Sequence, residues 1–101
     1  MCSSDLELFI KYDEIVKLPS KERDIQITRL AIVAEIDAAN LYESMATQAR
    51  NKELKEILLD VAKEEKKHVG EFEFILENLD PNWDQLEDEG EKEAEEKIKE
   101  K

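Results

Sequence analysis

Val61-Ala-Lys-Glu-Glu-Lys-Lys-His-Val-Gly-Glu-Phe72 decides how this chain is read. At the helical period, apolar residues recur at Leu54, Leu58 and Val61, and again at Phe72, Ile75 and Leu79; the two missing beats are Glu65 and His68. The seam is apolar except where it is ionisable. A carboxylate and an imidazole facing a core are costly unless paired, and three residues apart on a helix they can share one partner. A divalent cation is such a partner. The Glu-x-x-His spacing is weak on its own: glutamate fills 19 of 101 positions, so a Glu three places before the single His arises by chance about one time in five.

Glu35 strengthens it. Ile27 to Met45 reads as a second apolar helix, with Ile27, Ala31, Ala34, Ala38, Leu41 and Met45 on one side and Glu35 bordering that stripe. Arg50-Asn51 is the expected turn between the two helices. Glu35 lies fifteen residues before Arg50 and Glu65 fourteen after Asn51; at the helical rise both stand roughly 21–22 Å from the turn. In an antiparallel hairpin they are level, so one chain offers Glu35, Glu65 and His68 at one height. A di-iron carboxylate bundle takes one Glu from each of two helices and a Glu-x-x-His from each of the other two. This chain holds half of that set, and without a second His a complete site needs two chains about a two-fold axis. Four carboxylates and two neutral imidazoles carry a charge that two divalent ions cancel.

Composition agrees with an all-α protein. Among 101 residues there are two glycines and two prolines, and 42% are charged, with Glu, Lys, Leu and Ala abundant. The length bounds the chain to one domain, and a lone helical hairpin buries too little to stand alone, which favours homo-oligomerisation. Fifteen basic against 27 acidic residues give a net charge of −12; such a surface repels nucleic acid and anionic membranes and draws in cations. The single Cys2 allows no internal disulfide and points to a reducing compartment. With no signal peptide or membrane-length apolar run, the expected location is cytoplasmic, or inside something cytoplasmic.

Three segments are expected. Residues 1–19 hold a short helix, with Ser4 to Glu7 as a capping box and Leu6, Phe9, Ile10 and Val16 as its stripe. Residues 20–80 form the hairpin, with helices at about Lys21–Ala49, capped by Ser20, and Lys52–Asn78, capped by Asn51. Gly70 inside the second helix either admits a neighbour or is simply tolerated. Residues 81–101 form an acidic helix or tail started by Asp80 and Pro81, with Trp83, Leu86, Ala94 and Ile98 its only apolar residues after the proline and fraying or solvation expected beyond Glu89. Near the site, Glu64 is the rival carboxylate, expected to pair with Lys67 or His68. Tyr42 could hydrogen-bond a ligating carboxylate or be an ordinary core tyrosine, and Asp37 could be surface or guide cations inward.

Glu35-Ile-Asp-Ala-Ala-Asn-Leu-Tyr42, followed by Asp60-Val-Ala-Lys-Glu-Glu65-Lys-Lys-His68, closely resembles the encapsulated ferritins, short ferritin-like proteins associated with encapsulin shells; rubrerythrin-like proteins share the logic more distantly. The likeness covers roughly Ile25 to Pro81. It implies a half-ferritin: an antiparallel two-helix hairpin with short flanking helices that dimerises into a ferritin-like four-helix bundle. It also implies a di-iron site with two Fe per dimer interface, a decamer of five dimers, ferroxidase activity and iron storage within an encapsulin nanocompartment. Glu35, Glu65 and His68 match the iron ligands and Tyr42 an aromatic beside them. Members of that family can carry a tryptophan where Leu41 stands and a further carboxylate where Ala34 stands, which leaves Asp37 the only acidic match for a second metal position. The tail contains no Gly/Leu-rich cargo peptide, so the expectation is either a trimmed domain, from a fusion to the shell, or a protein that is not encapsulated. The alternatives are a rubrerythrin-like di-iron peroxidase and a non-catalytic helical metal-binding scaffold.

Overall fold

The computed structural model describes residues 11–100, and these are all-α. Three helices follow one another: α1 (Ser20–Gln48), α2 (Lys52–Leu79) and α3 (Pro81–Lys99). Residues 11–15 are also helical and lead through a turn into α1. The capping box and Leu6, Phe9 and Ile10 lie outside the described residues. In what is described, Ile15 is buried while Val16 is 39% exposed, so the inward position falls one residue earlier than the stripe predicted. The Arg23 guanidinium ties this turn to α1 by donating from Nη2 (2.9 Å) and Nε (3.2 Å) to the Leu18 carbonyl.

The helix ends follow their local chemistry with one exception. Pro19, not Ser20, is the N-cap of α1; it offers no side-chain cap, and Ser20 is already helical. Asn51 caps α2 as expected, its Oδ1 accepting the Leu54 N–H at 2.7 Å. Asp80 breaks the chain between α2 and α3 (φ −138, ψ 77), and Pro81 opens α3, where its missing N–H costs nothing. Of the two expectations beyond Glu89, solvation holds and fraying does not: α3 stays helical to Lys99, with every residue from Gln85 to Glu100 exposed.

The α1/α2 hairpin is antiparallel: Glu43 meets Lys66 at 2.7 Å and Glu35 meets His68 at 3.2 Å, so partners on one helix rise as those on the other fall. Small residues make the contact. Ala39, Ala46 and Ala62 are 4%, 1% and 1% exposed, joined by Thr28 and Leu76, and alanines let two backbones approach closely. No large side chain among the described residues is fully buried. The apolar seam read from the sequence is offset from this contact: Leu54, Ile75 and Met45 are exposed at 50%, 46% and 38%, while Leu58, Val61 and Phe72 are only half-buried. The hairpin therefore keeps an open apolar side. Among the described residues, a Cβ on Gly70 would meet nothing within 4 Å, so that glycine admits no neighbour among them.

Candidate metal centre

Glu35 projects from the middle of α1, and Glu65 and His68 from one side of α2. One ligand atom from each lies within 4.8 Å of the other two, the only such cluster of three or more His, Cys, Asp or Glu among the described residues. His68 Nδ1 stands 3.2 Å from Glu35 Oε2, where the tautomer protonated on Nδ1 donates a hydrogen bond, and 3.8 Å from Glu65 Oε2. The carboxylates are four-fifths buried, with side-chain exposures of 21% for Glu35 and 20% for Glu65, whereas His68 at 43% looks outward. Toward the turn, Met45, Ala49, Leu54 and Leu58 line an apolar groove that extends the hairpin's open side.

The electrostatics are those of a place short of positive charge. A hydrogen bond shared with the Glu35 carboxyl, then burial and the Glu35 charge, push the Glu65 carboxyl above its ordinary range, with His68 opposing. The hydrogen bond to Glu35 also raises His68 above the usual imidazole value; burial opposes this, and the negative charges of Glu35, Glu65 and Glu71 add to it. Both shifts favour the protonated forms, as positive charge brought to this spot would be favoured. Two carboxylates and an imidazole on one spot are the hard-oxygen and borderline-nitrogen donors that suit divalent iron, manganese or zinc. The donor set fits a metal, and three donors leave its coordination sphere incomplete.

The neighbouring residues sort themselves. Glu64 pairs with Lys67 at 3.1 Å, as expected of the rival carboxylate. Tyr42 is half-buried with no hydrogen bond to the three among the described residues, and Asp37 is half-buried and outside the cluster. Sequence reasoning missed Glu71, whose charge reaches His68 from the next turn; its i, i+3 spacing from His68 was the available signal. It also missed Arg29, which reaches Asp80 at 2.7 Å.

Comparison with known proteins points one way. The rubrerythrin family model matches residues 26–101. A ferritin-like–encapsulin shell fusion protein from Pyrococcus furiosus is 58% identical over 62 residues, covering 61% of this chain and 18% of the relative. An encapsulin nanocompartment cargo protein, EncC, from Myxococcus xanthus is 37% identical over 67 residues, covering 63% of this chain and 52% of the relative. The chain thus spans at most about half the length of these two relatives. The crystal structure of the encapsulated ferritin domain from Pyrococcus furiosus superimposes with a TM-score of 0.75 at 49% identity, over 78% of this chain and 81% of that one.

Proposed function

The chain belongs to the rubrerythrin family, and on that premise we propose that two copies join their hairpins into a ferritin-like four-helix bundle that oxidises Fe(II) with O2, a ferroxidase. One observation carries the reading: three metal-type donors converge on the rim of a hairpin whose apolar side is left open. A two-fold mate laid on that side supplies a second Glu35, Glu65 and His68 and buries the seam that one chain leaves in water. The completed set is the four-carboxylate, two-imidazole pattern of the di-iron carboxylate bundles.

Fe(II) is the substrate. Two Fe(II) ions surrender one electron each, and O2 takes the pair with two protons to give two Fe(III) and one hydrogen peroxide. The chain's residues prepare this. Glu35 and Glu65 attract the cations, and carboxylates tolerate the change of iron charge by shifting between one- and two-oxygen contact. His68 adds one nitrogen donor per chain. Fe(II) competes with protons for Glu65 and His68, so its binding favours their deprotonated forms.

The same proposal takes in the setting. The two relatives are described as a shell fusion and a shell cargo, which supports association with an encapsulin shell as the compartment where Fe(III) is mineralised. The decamer of five dimers belongs to this proposal too, and native mass measurement tests it. No described helix is long and apolar enough to cross a membrane. The family match favours a second reading, a peroxide-reducing di-iron protein. The deciding experiment follows aerobic Fe(II) oxidation by ultraviolet absorbance in the wild type and in the Glu35→Ala/His68→Ala variant, with peroxide consumption measured alongside. Ferroxidase activity requires oxygen-dependent oxidation that the variant loses by at least the roughly 10–100-fold that changes around metal ligands cost. Equal rates in the two proteins sink the site, and oxidation with peroxide but not O2 selects the second reading.

A further inference from the structure

Where α3 leaves the hairpin, the helix ladder is interrupted. Asp80 is non-helical and Pro81 supplies no N–H, so the stiffness of a continuous helix is lost at this joint. Packing against α1 does not replace it: among the described residues no Cα of α1 comes within 8 Å of a Cα of α3. One side chain spans the gap. Arg29 of α1 donates from Nη2 to Asp80 Oδ2 at 2.7 Å, and its Cζ lies 4.4 Å from the centroid of the Trp83 ring. Asp80 turns its other oxygen, Oδ1, to the Trp83 N–H at 3.3 Å. α1, the cap of α3 and the aromatic of α3's first turn thus form a closed triangle. A planar guanidinium can bond through its edge and stack through its face at once, which a lysine ammonium cannot do. Among the described residues, Arg29 Nε is buried with no hydrogen-bond partner, an unfavourable placement.

We propose that Arg29 is a positioning residue that pins the direction of α3 to α1, making α3 a rigid arm held at a fixed angle rather than a tail swinging about Asp80–Pro81. The arm is bound to the same helix that carries Glu35, six residues further along. A load on the exposed part of α3 therefore reaches α1 through the contacts of one side chain, Arg29, with Asp80 and Trp83.

Trp83 is the only tryptophan and reports directly. The full chain, with Cys2→Ser and spin labels at exposed Glu22 and Glu93, is diluted into unlabelled protein so that distances within one chain are read by pulsed electron resonance. Acrylamide quenching of Trp83 is followed in parallel. Arg29→Ala and Arg29→Lys are both expected to broaden the α1–α3 distance distribution and increase quenching, with helix content by circular dichroism unchanged. Asp80→Asn, which keeps a capping side chain but removes the charge, moves both readouts the same way, and adding it to Arg29→Ala brings no further change. If Arg29→Ala loses helix content, Arg29→Lys decides. A distribution as narrow as the wild type's in Arg29→Lys overturns the proposal, because charge alone would then suffice.

Discussion

If two hairpins pair around divalent cations as proposed, removing the metal should take the pair apart. One protomer supplies three donors and leaves His68 43% exposed, while the completed pair would supply six and a dry apolar surround; an ion shifts an equilibrium only by its preference for one side of it, and here that side is the pair. At a concentration about 100-fold above its dissociation constant, each bound ion contributes about 2.7 kcal/mol. Two per pair give roughly 5 kcal/mol, or three to four orders of magnitude in the protomer–protomer dissociation constant at about 1.4 kcal/mol per tenfold. Sedimentation velocity across a dilution series reads this directly, with anaerobic Fe(II) or with Zn(II) as a redox-silent stand-in, against chelator. His68→Ala is the control, because its assembly should respond far less to metal. Identical profiles in metal and in chelator would refute the reasoning, since the open apolar side would then close without the donors.

Three further outcomes follow. Because Glu65 and His68 both have raised values in the metal-free chain, their contribution to stability is full below their unfolded-state values and is lost as pH rises through the folded ones; thermal melts in chelator should show lower stability at pH 8 than at pH 5. Added metal, which competes with protons for the same donors, should reverse the trend, and a flat profile in chelator would contradict it. Glu77 is raised by burial and by the crowding charges of Asp84, Glu87, Glu73 and Asp88, so Glu77→Gln should raise the melting temperature at neutral pH and have little effect at acidic pH. Leu76, 2% exposed at the hairpin contact, should cost about 2–5 kcal/mol on truncation to alanine, measured by urea unfolding of the metal-bound protein.

The hairpin was legible in the chain because its punctuation is local. Asn51 and Asp80 act as caps through their own side chains, and Pro81 suits the first position of α3 because its missing N–H has no helical partner to lose. The convergence of Glu35 with Glu65 and His68 was legible from rise per residue alone, since both helices are unbroken between turn and donors. The contact between the helices was harder to read. Hydrophobic periodicity marks every face that needs covering, and Leu54 and Ile75 belong to a face one chain does not cover; the alanines at the true contact give a weaker apolar signal. Beyond Glu89, α3 takes the solvated rather than the frayed form of the two that its charge density suggested, because Glu, Lys and Ala are strong helix formers even in solvent. Arg29 could not be found by pattern: its partners lie 51 and 54 positions away, and only the bend at Asp80 brings them near.

The outward tilt of His68 has a kinetic meaning. If a solitary chain holds only half a reaction centre, turnover per molecule must fall as the protein is diluted, with an onset that is second order in chain concentration. Dilution then serves as an off-switch, and a newly made polypeptide carries no oxidising chemistry until it meets its twin.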